Sequence, residues 1–207
     1  MSDEIKTPEQ LEAEKAAKVQ AAAEARAARA AAKAAAEAEA AEATPKEPSP
    51  QQPILDRLVA IVNEQVGSDI IVESYINEMD AHIPTLVVKA DNWAALAPIL
   101  KNHEELQLEY LRNLSGVDRE THMECVYYLI NLTNKQNYAI KVTTDRDNAI
   151  IPSVTPVWAT AEWNEREVFD LLGIQFPGHP NMKRIMLTDD WVGHPLRKDY
   201  VQIDSEV

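Results

Sequence analysis

The chain has 207 residues, of which 34 are acidic and 20 are basic, so its formal net charge is −14 at pH 7. This charge argues against a general nucleic-acid binder, which neutralises phosphates with Lys and Arg, and against electrostatic adhesion to anionic lipid. Cys125 is the single cysteine, which excludes an intramolecular disulfide and a four-cysteine metal or iron–sulfur cluster.

The amino-terminal quarter of the chain differs in composition from the rest. Alanine and scattered charged residues dominate residues 1–43 and predict a helical or disordered extension without an apolar stripe. Residues 44–53 contain four prolines and are typical of a semi-rigid linker. The sequence therefore divides into an extension (1–43), a linker (44–53), a globular domain (54–157) and a signature helix with an interface tail (158–207). No apolar run reaches the length of about 18 residues that a membrane span needs.

The region after the linker shows the apolar spacing of helices and strands. Residues spaced three and four apart predict a helix from Ile54 that ends near Gly67. Asp91 is expected to cap a second helix, over 92–100, which Pro98 would kink or break. An α+β class follows, with a small mixed, largely antiparallel sheet backed by helices. The predicted strands are 70–76, 85–89, 106–114, 125–132 and 138–144.

The last predicted helix leads into an irregular tail. Glu162, Arg166 and Asp170 are spaced four apart, which predicts a ridge in which Arg166 neutralises both carboxylates. Gly173 provides a left-handed stop, and the Gly-Pro-rich sequence beyond it disfavours regular structure. The tail must therefore find its hydrogen bonds elsewhere, and we expect it to take its shape only against another polypeptide.

Two histidines in the tail suggest an alternative, enzymatic interpretation. His179 and His194 each stand in a Gly-His-Pro triplet, with Asp189 and Asp190 between them, so an independent soluble hydrolase using this tail is one hypothesis. No helical HExxH-type spacing is present, and no glycine-rich cradle precedes the tail cations. We therefore expect neither a metal site nor a nucleotide site, and we expect each imidazole to bond loop backbone.

Several ordered sequence pieces resemble one known family. They are LSGVD (114–118), IPSV (151–154), WNERE (163–167), DLLGI (170–174), GHP (178–180), RI (184–185) and GHPLRKDY (193–200). Together they resemble the C subunit, or 30 kDa subunit family, of NADH:quinone oxidoreductase (respiratory complex I). Leu172 and Val201 depart from the family pattern, which more often has Phe and Pro at these positions.

The resemblance implies a cofactor-free structural subunit in the peripheral arm of a proton-translocating complex, with no catalytic centre of its own. It implies a hetero-oligomer with the D, B and I subunits, FMN and iron–sulfur clusters held by partner subunits, and a place at the cytoplasmic face of the bacterial cell membrane. The equivalent subunit of a membrane-bound hydrogenase or of a ferredoxin- or F420-linked complex stays open, because other subunits choose the electron donor. The predicted interface residues are Glu165, Arg166, His179, Arg184, His194, Arg197, Lys198 and Asp199.

Overall fold

The structure, a computed structural model, describes residues 49–201. The predicted extension 1–43 and the first half of the predicted linker, residues 44–48, lie outside the described residues. The elements follow in the predicted order of helix, two strands, helix, three strands and helix. They are α1 (Gln52–Gln65), β1 (Ile71–Asn77), β2 (Ile83–Lys89), α2 (Ala90–Asn102), β3 (Tyr110–Asp118), β4 (Met123–Ile130), β5 (Asn137–Thr144) and α3 (Ala161–Leu172).

The five strands form one mixed sheet in the order β1-β2-β5-β4-β3. The β2–β5 pair is parallel, and the other three pairs are antiparallel. A parallel neighbour needs a crossover, and the chain between β2 and β5 supplies it with α2 and the β3–β4 hairpin. The predicted α+β class with a largely antiparallel sheet is therefore confirmed. Among the described residues, no helix has the length and apolar character needed to cross a membrane.

Three predicted boundaries differ from the structure. Helix α1 begins at Gln52, inside the predicted linker, because Pro53 fits the first turn of a helix, where no backbone N–H is needed. Asp91 is not the cap of α2, since the helix begins at Ala90 and has no side-chain cap. Pro98 lies inside α2 without ending it.

The third strand is displaced from its predicted position. It spans Tyr110–Asp118 rather than 106–114, and Leu106 and Leu108 precede it in a loop. Both leucines are buried all the same, so their alternation reflects burial of loop side chains and not a strand. Gln107, between them, has a φ of 43°, which is incompatible with an extended strand.

One apolar core lies between the helices and one face of the sheet. The register brings Leu86, Ile140, Tyr127 and Leu114 into one row on this face, and all belong to the core cluster. Helix α3 closes over β3 at Gly116, where an added Cβ would lie 2.5 Å from a Leu172 methyl carbon. The helix is thus held directly against the sheet.

Candidate functional site: a tail fastened to its own domain

The tail begins where α3 ends at Gly173, and it forms no helix or strand up to Val201. Gly173 has a φ of 76°, the left-handed conformation expected of a glycine stop, and its N–H bonds the carbonyl of Phe169. The tail then runs back along α3 and over the edge of the sheet. Its polar side chains make hydrogen bonds with three places on the same chain.

The first attachment is built around Asp170, whose side chain is fully buried. One carboxylate oxygen, Oδ2, accepts the backbone N–H groups of Ile185, Met186 and Leu187 at 2.9, 2.7 and 3.0 Å. The other, Oδ1, accepts from Arg184 Nη1 at 2.8 Å. Burial opposes ionisation, but these donors outweigh it and lower the pKa of Asp170. We call this group of five residues the Asp170 clamp.

The predicted acid–base–acid ridge is therefore wrong at its last member. Arg166 pairs with Glu162 at 3.2 Å, and its Nε donates to the carbonyl of Lys183 at 3.1 Å. Asp170 instead turns into the protein and pairs with Arg184. A spacing of four residues places side chains on one helix face, but here the distant tail offers Asp170 four donors that Arg166 cannot match.

The second attachment uses the carboxyl end of α3. The last carbonyls of a helix lack partners within it, and cations are favoured there. His194 Nδ1 lies 2.9 Å from the carbonyl oxygen of Asp170, and Arg197 Nε donates to the carbonyl of Leu172 at 2.6 Å. The imidazole of His194 also packs on Gly173, where a Cβ would lie 2.6 Å from the ring.

The other tail histidine lies at the side of α3. His179 Nε2 is 3.0 Å from the carbonyl oxygen of Glu162, and its Nδ1 accepts the N–H of Asn181 at 3.1 Å. Both imidazoles therefore bond backbone groups, as the sequence predicts. The carbonyl groups next to them belong to Glu162 and Asp170 of α3 and not to the loops. Among residues 49–201, no group of three His, Cys, Asp or Glu side chains is placed to hold a metal ion.

The third attachment fixes the end of the tail to the sheet through Asp118. Its carboxylate accepts two hydrogen bonds from Arg146, at 2.9 and 3.0 Å, and one from the N–H of Lys198 at 3.0 Å. Arg146 also pairs with Asp199 at 2.9 Å, and Lys198 Nζ pairs with Glu120 at 3.0 Å. Hydrogen bonds from Arg146 hold the pKa of Asp118 well below its usual range. We call these five residues the Asp118 clamp.

Glu165 faces the interior and not the surface. Its carboxylate accepts from Ser153 Oγ at 2.6 Å, from Val154 N–H at 2.8 Å and from Thr155 Oγ1 at 3.2 Å. Burial raises the pKa of Glu165 despite these donors. The side chain is fully buried, so it orders the loop before α3 within its own chain.

The expectation that the tail needs another polypeptide for its hydrogen bonds is thus wrong. Seven of the eight predicted interface side chains bond the chain's own atoms along the tail path, and Glu165 bonds a loop beneath it. The structure brings His194 and Arg197 together at the end of α3, and Lys198 and Asp199 at the Asp118 clamp. Whether these eight residues also contact a partner stays a prediction.

Sequence reasoning missed Arg146 and underrated Asp118. Arg146 lies 28 residues from Asp118 and 53 from Asp199, so no helical or strand period relates them. The one usable signal was that Asp118 closes the LSGVD piece, where an acidic side chain follows apolar and small residues.

Acid is expected to loosen the tail before it unfolds the domain. The pKa values of Asp118, Asp170 and Asp199 are all lowered in the folded chain. Their stabilisation is therefore fully present above the ordinary pKa of Asp, about 3.9, and is lost as pH falls below it. The Trp191 contribution to the fluorescence, taken as the difference between the natural chain and Trp191→Phe, should change below about pH 4 while far-ultraviolet circular dichroism persists. A single coincident transition in both signals would contradict this order.

The fold and the site define an α+β protein with an extended carboxy-terminal tail that its own domain orders. The family described as "Respiratory-chain NADH dehydrogenase, 30 Kd subunit" matches residues 86–206. The chain belongs to this family. The match begins within β2 and runs past the last described residue of the tail, so it includes both clamps.

Individual relatives agree with this assignment. The C subunit of NADH-quinone oxidoreductase from Geotalea uraniireducens is 39% identical over 149 residues, covering 70% of this chain and 87% of the relative. The C/D subunit of NADH-quinone oxidoreductase from Phocaeicola vulgatus is 45% identical over 112 residues, which are 50% of this chain and 22% of that protein. A chain in the structure of the membrane-bound sulfane sulfur reductase, an archaeal respiratory membrane complex, aligns with a TM-score of 0.58 at 25% identity. That alignment covers 72% of this chain and 86% of the other.

Proposed function

We propose that the chain is the cofactor-free structural C subunit of a proton-translocating NADH:quinone oxidoreductase, and that its ordered tail docks on neighbouring subunits. In this role it supports electron transfer from NADH to quinone by holding the quinone-site and iron–sulfur subunits in place, and the FMN and iron–sulfur clusters belong to those partners. It forms a hetero-oligomer at the cytoplasmic face of the bacterial cell membrane, attached through the complex.

The observation that carries this proposal is that polar and apolar side chains of the tail have different environments. Arg184, His194, Arg197, Lys198 and Asp199 bond the chain's own atoms, whereas several large apolar side chains of the tail are exposed to solvent. Interface centres are enriched in Trp and Met. These residues, which we call the tail face, are Met186 (60% exposed), Trp191 (40%), Val192 (72%), Leu196 (59%) and Val201 (82%).

Pre-ordering makes such a tail an effective docking element. A segment that folds only on binding loses conformational entropy at that moment, which weakens its affinity. Here the Asp170 and Asp118 clamps have already fixed the backbone on both sides of Trp191, Val192 and Leu196. Burial of the apolar tail face against a partner then adds to the affinity without the entropic cost of ordering the tail.

The nearest neighbour we propose is the D subunit. The Phocaeicola relative has a name that joins C and D, and this chain matches only 22% of its length. Fusion in one polypeptide keeps the two subunits within reach of each other, which supports a shared contact. The B and I subunits, the proposed iron–sulfur partners, rest on the family resemblance.

The related complexes are the second candidate. The sulfane sulfur reductase shares the fold at 25% identity, whereas relatives with the NADH-quinone oxidoreductase name reach 39% and 45%. The higher identities favour NADH:quinone oxidoreductase. An independent hydrolase has less support, because His179 and His194 are both engaged with backbone.

Charging the tail face should prevent assembly without unfolding the chain. Val192→Asp with Leu196→Asp exchanges two exposed apolar side chains for carboxylates that a partner would have to bury unpaired. We expect association to weaken by about 3 kcal/mol or more, over a hundredfold. Native electrophoresis of solubilised membranes measures the fraction of the chain that migrates with the large complex.

Met79→Asp is the matched control, because Met79 is fully exposed in the β1–β2 turn, outside the tail. It should assemble as the natural chain does. If the double variant also assembles normally, the tail face is not the docking surface. If the natural chain migrates alone, the proposed role within a complex is itself refuted.

A further inference from the structure

Strand β3 is a free edge of the sheet. In the part of the chain that the structure describes, it pairs with β4 on one side and with no strand on the other. Its ends are fastened, since Thr160 Oγ1 donates to the Leu111 carbonyl and Lys198 N–H donates to the Asp118 carboxylate. Between these ends, residues 112–117 leave the outward half of their backbone N–H and C=O groups without a protein partner among residues 49–201.

The middle of this edge lacks most of the features that usually prevent strand pairing. Native proteins protect free edges with Pro, Lys, inward-pointing charges, bulges, very short strands or a covering helix or loop, and here α3 and the tail border the edge but leave a groove along it. β3 has nine residues, and the run Asn113-Leu114-Ser115-Gly116-Val117 carries neither charge nor proline. The bulge of β3 lies before this run, at Leu111/Asn113. The opposite edge strand, β1, has an exposed acid, Glu73, at its own bulge.

A groove of about 350 Å³ follows the same edge. Four successive β3 residues, 113–116, line it, and side chains of successive strand residues point to opposite faces, so the groove runs along the edge rather than over one face. Its other wall is formed by Val168, Leu171 and Leu172 of α3 with Leu196 of the tail, and Glu167 of α3 adds one carboxylate beside these four apolar side chains. Backbone groups and a largely aliphatic set of side chains thus lie side by side.

We propose that the free edge of β3 pairs with an extended segment of a partner subunit, whose backbone continues the sheet and whose alternate apolar side chains fill the groove. The inference rests on the proposed function, in that the chain must have a subunit beside it. Main-chain hydrogen bonds provide affinity in this mode of recognition, and pockets for every second side chain provide specificity.

Two observations select a partner subunit as the occupant. Leu196 belongs both to the groove and to the tail face, so a protein seated on the tail reaches the groove without a gap. A second copy of the chain is disfavoured, because each copy carries a net charge of −14 and edge-to-edge pairing would bring the two close together.

Residue-resolved hydrogen exchange of the isolated chain and of the assembled complex tests this pairing. Amides in 112–117 that point to β4 should exchange slowly in both states. Those that point outward should exchange fast in the isolated chain and at least about tenfold more slowly in the complex, an alternating pattern that side-chain docking does not produce. Unchanged edge amides with protected tail amides would overturn the pairing and leave tail docking intact. If neither region gains protection, both proposals fail.

Leu171→Glu provides a second, independent measurement, with Glu167→Gln as the control on the same groove and helix. The new carboxylate would stand beside Glu167 with no cation among the described residues of the groove to pair it, so the alternating protection should disappear and association should weaken about tenfold. Glu167→Gln should keep both. Thermal unfolding of each isolated variant confirms that α3 is intact. Edge protection in a homodimer of the isolated chain would show that a second copy is the occupant and would overturn the assignment to a partner subunit.

Discussion

Asp170→Ala is expected to detach residues 184–187 from α3 and to cost about 3 to 5 kcal/mol of folding free energy. The substitution removes a buried carboxylate that accepts four hydrogen bonds, and it leaves Arg184 and three backbone N–H groups without their acceptor. Breaking a buried pair by removing one partner costs this much, because the remaining groups stay desolvated or must rearrange into water. Urea denaturation of the isolated chain measures the loss.

Limited proteolysis of the same variant should show which part of the chain loses its structure first. Because the clamp joins the tail to α3 and not the strands to one another, we expect proteolysis to cut the tail first, near Lys183 and Arg184. Asp189→Ala is the matched control, since Asp189 is an exposed carboxylate in the same tail. It should change stability by less than about 0.5 kcal/mol. Equal effects of the two substitutions would show that Asp170 does not fasten the tail.

The order of elements could be predicted because it depends on local patterns. The spacing that predicts the first helix, the Gly173 stop and the break between the predicted strands 125–132 and 138–144 each report on a few neighbouring residues, and the structure has a helix, a helix end and a loop at these places. Local patterns fail where burial has a distant cause. Leu106 and Leu108 alternate like a strand, yet they are loop residues that the core covers.

The site could be predicted only in part for the same reason. Sequence pieces identified the tail and its polar residues, but they could not show which way each side chain points. Arg184 reaches Asp170 across 14 residues and Lys198 reaches Asp118 across 80, distances for which the sequence has no period. An arginine in a proline-rich tail looks the same whether it bonds a partner or its own helix. The apolar residues between the clamps are the ones left to face outward.

Substitutions at Glu165 test whether this residue, which the sequence predicts at an interface, stabilises the interior of its own chain. Glu165→Ala should cost about 2 to 4 kcal/mol, because it opens a cavity and leaves the Val154 N–H and the Ser153 hydroxyl without their acceptor. Glu165→Gln keeps the volume and one acceptor oxygen, so its cost should stay below about 1.5 kcal/mol. Glu167→Ala, at an exposed position of the same helix, should be near neutral.

The pH dependence separates Glu165 from the clamps, because its pKa is shifted in the opposite direction. Burial raises the pKa of Glu165, so the folded chain holds this proton more tightly than the unfolded chain. Its stabilising contribution is full below the ordinary pKa of Glu, about 4.3, and is lost as pH rises through the folded value. Stability of the natural chain relative to Glu165→Gln should therefore fall as pH rises above about 4.3, measured by urea denaturation at several pH values. If the stability of the natural chain relative to Glu165→Gln stays constant or grows as pH rises, Glu165 ionises in the fold at no cost. The hydrogen-bond donors of residues 153–155 would then outweigh the effect of its burial.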